Sequence, residues 1–211
     1  MYFLSRDLYF PPARDASPEG IIAIGGDLSP ERLVLAYRNG IFPWFEDDEP
    51  ILWWSPPARM VLFPDELKIS KSMRNIINRG IFKVTFNTAF REVITQCRTI
   101  KRDGQPGTWI TTEMTEAYCR LHELGYAKSV EVWQDGKIVG GLYGVDLGHV
   151  FCGESMFSTV SNASKFAFIA LTKQLQIAGY KLLDCQVHND HLESLGAREI
   201  LREDFLQILK G

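Results

Sequence analysis

From Lys128 onward, polar and apolar positions alternate in two runs, KSVEVWQ and KIVGGLYGVD, on either side of Asp135-Gly136. Period-two alternation around an Asp-Gly pair predicts an antiparallel hairpin. A second turn at Leu147-Gly148 leads into HVFCGESMF, a third strand, and YKLLDCQV predicts a fourth. The stretch near 162–178 between them reads as a helix. Upstream the apolar period lengthens to helical spacing. Ser29-Pro30 opens a helix that Gly40 ends, with proline at the first helical position. Ser70 and Asn87 are placed to cap helices near 71–79 and 88–102, the second carrying Phe90, Val93, Ile94 and Cys97 on one face. A further amphipathic helix covers 112–124, after a loop at RDGQPGTW. Residues 1–28, rich in Pro and Gly, predict irregular structure or short strands, and short helical segments are expected after the last strand. The run IFPWFEDDEPILWWSPPARMVLFP is too apolar for a free linker and too broken by proline for a long helix; it is expected to pack on the body with its acidic tip outside.

Three antiparallel strands, a helix and a strand returning to the same sheet predict an α+β sandwich that resembles the GNAT acyltransferase fold. A smaller N-terminal α/β domain with the Trp/Pro-rich segment is expected over 1–66, and the GNAT-like catalytic domain over 67–211. The composition, 45% hydrophobic and 23% charged, is that of an ordinary soluble protein, and from the short apolar runs and the N-terminal MYFLSRDLYFPPARD neither a membrane span nor a secretory leader is expected. Four unclustered cysteines read as reduced core thiols of a cytoplasmic protein.

The net charge of −3 argues against a polyanionic partner until its distribution is considered. Between Lys68 and Arg102 stand nine basic residues, including Lys68, Lys71, Arg74, Arg79 and Lys83, against the single acid Glu92. Such segregation suits a polyanion, although solvated helix faces account for it equally.

Two polar placements point to chemistry. Glu154 interrupts the apolar third strand, and Asp184 and Gln186, two apart on the fourth, are expected on one face. An acid and an amide on an interior strand are costly unless used. Cys185, His188 and His191 are spaced three apart but lack a fourth partner for zinc, so no metal is expected. STVSNASK, before the 162–178 helix, lacks the glycine-rich cradle that coenzyme A requires, and Ile24-Gly25-Gly26-Asp27 lacks a phosphate loop's ending. No activated nucleophile is evident. Trp44 and Trp109, in expected loops, suit either stacking on a nucleotide or simple packing.

The blocks GGDLSPERLVLAYRNGIFPWF, PILWWSPPARMVLFP, GTWIT, YGVDLGHVFCGESMFS, NASK and LLDCQVHNDHLESLGA, in this order, resemble the leucyl/phenylalanyl-tRNA–protein transferase family. The resemblance implies transfer of Leu or Phe from aminoacyl-tRNA to the N-terminal Arg or Lys of a protein, marking it for degradation, with no cofactor. It implies a catalytic set of Asp184, Gln186 and Glu154, and an aminoacyl-adenosine site of Tyr37, Trp44, Trp109, Tyr118 and Asn189. It places the transferred side chain near Leu142, Gly153, Met156, Leu171 and Leu175, where some members have aromatics at the last two positions. The basic 68–102 segment then has the acceptor stem as its partner. Two readings compete: a related transferase serving cell-wall peptide assembly, and a non-catalytic tRNA-binding module. A monomer is expected.

Overall fold

The computed structural model describes residues 2–100 and 109–211. The chain begins with β1 (Tyr2–Leu4), β2 (Ile21–Gly25), α1 (Pro30–Arg38), β3 (Phe42–Pro43) and β4 (Leu52–Trp54). These strands form a four-stranded sheet in the order β1-β2-β4-β3. There follow β5 (Ala58–Leu62), α2 (Lys71–Arg79), β6 (Lys83–Phe86), α3 (Phe90–Thr99), α4 (Thr112–Glu123), β7 (Ala127–Gln134), β8 (Lys137–Asp146) and β9 (Val150–Ser158). The chain closes with α5 (Ala163–Ile177), β10 (Leu182–Gln186), α6 (Asp190–Glu193), β11 (Arg198–Leu201) and α7 (Arg202–Lys210).

The larger sheet has seven strands in the order β11-β5-β10-β9-β8-β7-β6. Like β5, which falls in the Trp/Pro-rich run, the strands β6 and β11 occupy regions where the periodicity predicted no strand. Each of these two is four residues long and lies at a sheet edge, too short for alternation to declare itself. Strand β5 lies before residue 67 yet pairs with β10, so the larger sheet takes in a strand from the expected N-terminal part.

Alternation along the central strands divides the core. Tyr143 belongs to the apolar cluster that holds Val93, Cys97, Tyr118 and Leu121 of α3 and α4, whereas its neighbour Leu142 belongs to the one that holds Ala167, Phe168, Leu171 and Leu175 of α5. Each fully buried side chain of this kind contributes about 1.5–3 kcal/mol of transfer free energy. The start of α5 lies hard against the sheet because β8 carries Gly140, where a β-carbon would sit 2.6 Å from that of Ala163. This close approach puts the first turns of α5 beside the functional site.

The caps are partly as expected. Ser70 Oγ accepts from Met73 N at 3.2 Å as expected, and Thr111 Oγ1, which the sequence did not single out, accepts from Met114 N at 3.0 Å. Asn87 does not cap α3: its side-chain oxygen accepts from Ser129 N, across the sheet. The fully buried Glu131 of β7 instead accepts from Thr88 N and Ala89 N at that helix start. An acid pointing out of the sheet thus substitutes for a local cap. No helix among the described residues is long and apolar enough to cross a membrane.

Candidate active site

Strands β9 and β10 run parallel and pair through Leu182–Val150, Leu183–Phe151 and Asp184–Cys152. There the pairing stops, and Glu154 and Gln186 lie just beyond it. Against β5 the register slips between Asp184 and Gln186, and Gln186 adopts φ 59°, a left-handed conformation rare for a residue with a side chain. Simple alternation therefore fails here, and the two side chains take different directions.

Asp184 is fully buried and forms a bidentate ion pair with Arg59 of β5, Nε to Oδ1 at 2.8 Å and Nη2 to Oδ2 at 2.7 Å. Its Oδ1 also accepts the Gln186 backbone N–H at 3.0 Å. Burial alone would favour a neutral Arg59, but the Asp184 carboxylate outweighs it and holds the guanidinium above its ordinary value. Asp184 therefore presents no free negative charge to an incoming cation.

Gln186 reaches across the gap between the strands. Its Nε2 donates to the Gly153 carbonyl and to Glu154 Oε1, the latter at 3.1 Å. A carbonyl only accepts, which fixes the orientation of the amide. Both amide hydrogens are engaged, and among the described residues none donates to Oε1.

On its other oxygen Glu154 accepts from Tyr118 at 3.1 Å, and Tyr118 is hydrogen-bonded to Tyr37. A chain of polar groups thus runs from α1 through α4 and β9 to β10. Burial pushes the Glu154 carboxyl up to about 8, against the opposing pull of the Tyr37 and Tyr118 hydroxyls. At neutral pH it is mostly a protonated acid. Burial, then the charge of Glu154, holds both phenols well above their ordinary range, so they remain neutral.

An acid with a raised native pKa keeps its proton between about 4.5 and 8 while the unfolded chain has lost it, so stability falls as pH rises through that window. Glu154→Gln abolishes that contribution. The melting temperature of the wild type minus that of the variant is expected to fall steadily from pH 5 to 8 and to flatten above 9. A difference independent of pH across that range rules out the raised value.

A cavity of about 480 Å³ opens over these residues. Trp44, Trp109, Leu142, Gly153, Glu154, Met156, Leu171, Asp184, Gln186 and Asn189 all line it, as do Phe42, Phe168 and Leu183, which the sequence did not single out. Three expected residues stand elsewhere. Tyr37 and Tyr118 are buried behind Glu154, and Leu175 lines a second cavity of about 240 Å³ farther along α5, which Leu171 separates from the first. The aromatic end is supported by a second indole: the Trp54 ring packs tilted against Trp44 with centroids 5.7 Å apart, and its Nε1 donates to the Trp44 carbonyl. Asn189 caps α6 through Oδ1, leaving its amide nitrogen.

Burial raises the thiols of Cys152 and Cys185, with Asp184 adding to the effect, so neither is a nucleophile. Cys185, His188 and His191 do not converge: among the described residues the group that could is His188, Asp190 and Glu193, all exposed. Lys68, Lys71, Arg74, Arg79 and Lys83 are exposed, with no salt bridge to a carboxylate among the described residues. In α2, Met73, Ile76 and Ile77 face inward, which turns Lys71 and Arg74 to solvent. Arg91 is already paired with Glu116, and Lys101, Arg102 and most of the expected RDGQPGTW loop lie outside the described residues.

Arg59 was not signalled by the sequence. A single arginine opening the apolar run RMVLF reads as a strand-end residue, and its partner lies 125 positions away.

Among solved structures, FemX superposes with a TM-score of 0.52 at 10% identity, over 86% of this chain and 71% of that one, a likeness of GNAT-like fold alone. The curated leucyl/phenylalanyl-tRNA–protein transferase of Flavobacterium johnsoniae is 70% identical over the full length of both chains, and that of Nitrosospira multiformis is 55% identical over 99% of this chain and 90% of its own. The family model for the leucyl/phenylalanyl-tRNA protein transferase matches residues 61–210, and that for its N-terminal domain matches 26–57. The chain belongs to the leucyl/phenylalanyl-tRNA–protein transferase family, aminoacyltransferases that carry amino acids from tRNA to proteins.

Proposed function

We propose that the cavity carries out direct aminolysis: the α-amine of an acceptor protein, beginning with Arg or Lys, attacks the ester carbonyl of leucyl- or phenylalanyl-tRNA. The carbon–nitrogen bond forms, the carbon–oxygen bond to the ribose breaks, and the amine's proton ends on the departing ribose hydroxyl. The ester is already activated, so no ATP is needed. The observation that carries this reading is the Gln186 amide, whose two hydrogens are held by Gly153 and Glu154 while Oε1 takes no hydrogen bond among the described residues. An amide is not a base, but its oxygen can accept one N–H of a neutral amine and aim the lone pair at the carbonyl.

Glu154, at about 8, is matched to moving a proton near neutral pH and stands within hydrogen-bond reach of Gln186. This favours Glu154 over Asp184 as the relay. A cationic Arg or Lys side chain nearby would also favour the ionised form of Glu154, linking acceptor binding to proton release. The adenosine is assigned to the Trp44 and Trp109 end, where stacking tolerates any base, and the transferred side chain to Leu142, Met156, Phe168 and Leu171. Leu175 lies past Leu171, outside this pocket.

The exposed basic residues of α2 and its flanks suit acceptor-stem phosphates, contacted without regard to sequence. Lys71→Glu combined with Arg74→Glu is expected to weaken binding of every leucyl- or phenylalanyl-tRNA by a similar factor. The salt dependence of log K should flatten by about two, roughly one per lost phosphate contact. A loss confined to one isoacceptor sinks this assignment.

We place the enzyme in the cytoplasm as a monomer, tagging its acceptors for degradation. The test of acceptor identity uses purified protein, phenylalanyl-tRNA and peptides differing only in their first residue. Arg and Lys peptides should be extended by one Phe, and Ala or N-acetylated peptides should not. Equal extension of the Ala peptide contradicts the assignment.

A further inference from the structure

We propose that Arg59 is a positioning residue for the transfer reaction, fixing the aromatic wall and the Gln186 amide at one separation. The proposal rests on the aminoacyl-transfer reading above. Arg59 does not line the cavity and is 1% exposed, yet its guanidinium touches three parts of the chain. Nε and Nη2 grip Asp184, which in turn takes the Gln186 backbone N–H. Nη1 donates to the Gly40 carbonyl at 3.2 Å, two residues before Phe42. The Phe42 ring covers one side at 4.7 Å and the Phe205 ring of α7 stacks at 4.6 Å. Gly40, at φ 73°, allows α7 this approach: a β-carbon there would meet Leu206 Cδ2 at 2.5 Å.

Phe42 and Trp44 belong to the cavity's aromatic end, and Gln186 to its polar centre. A nucleotide held at the first must present its ester to the second. Arg59 bonds or stacks with the segments carrying both. The left-handed backbone of Gln186 is held by the Asp184 oxygen that Arg59 orients; without that hold it can return to an extended conformation and carry Oε1 away. Lysine cannot replace the fork, because it keeps the charge but loses the bidentate edge, the third donor and the flat faces.

The test compares single-turnover kcat and donor KM for the wild type, Arg59→Lys and Arg59→Met combined with Asp184→Leu. Phe82→Leu, a core substitution at a residue that does not line the cavity, serves as a control for general destabilisation. A displacement near 1 Å lowers the rate by about 100-fold, so Arg59→Lys should lose about that in kcat while donor KM stays within about threefold. The apolar double variant removes charge and partner together, should fold, and should be as slow. Either Arg59 variant with kcat within about threefold of wild type overturns the proposal. So does a loss carried wholly by KM, or an equal slowing in Phe82→Leu. A wild type that makes no product overturns the transfer reading instead.

Discussion

Replacing Gln186 by alanine is expected to lower kcat for phenylalanyl transfer by about 100- to 1,000-fold, the range seen when one preorganised hydrogen-bonding group is taken from a reacting centre. Binding of the aminoacyl-tRNA should barely change. The nucleotide is assigned to the tryptophans and the tRNA body to α2, neither of which Gln186 touches. What is lost is orientation: without Oε1 the incoming amine has no fixed acceptor, and without Nε2 Glu154 loses a neighbour at 3.1 Å. The loss should therefore appear in kcat and kcat/KM equally. Near-normal turnover with unchanged donor binding removes Gln186 from the mechanism.

Asp184→Ala is expected to act first on stability. It strands the Arg59 guanidinium, buried between Phe42 and Phe205, without its carboxylate. Removing one member of a buried pair costs about 3–5 kcal/mol, because the remaining charge is left uncompensated. In a chain of this length that is a fall of roughly 10 °C in melting temperature. Residual folded protein should also be slow, since the Gln186 backbone loses the acceptor that holds its left-handed turn. Calorimetry separates the effects: an Asp184→Ala protein that melts like the wild type but is inactive would return Asp184 to a direct role in the chemistry.

These two expectations show where the sequence was legible. Asp135-Gly136 announced the β7–β8 hairpin because a two-residue turn between alternating runs has few other outcomes. Glu154, Asp184 and Gln186 stood out because polar groups on apolar strands are expensive to bury, and all three line the cavity. What they do to one another was not legible. The slip after Asp184 and the positive φ of Gln186 occur at an ordinary residue with no glycine to mark them. Arg59, Phe42 and Phe205 converge from distant parts of the chain through the packing of α7 against β5 and the pairing of β5 with β10, which no local pattern encodes. Tyr37 and Tyr118 were found by family resemblance, but their place behind Glu154 depends on helices meeting across the core. Leu171 and Leu175 share a helix face four residues apart, yet the cavity ends between them.

The central claim is direct transfer from ester to amine at the Gln186 centre, with no acyl-enzyme between. Purified protein, labelled phenylalanyl-tRNA and an N-terminal Arg peptide, mixed without ATP and quenched over a single turnover, test it directly. The label should pass from tRNA to the peptide's amino terminus in equal amounts, with none bound covalently to the protein at any time. Label that first accumulates on the protein and then chases into peptide would contradict the account, as would the absence of any peptide product.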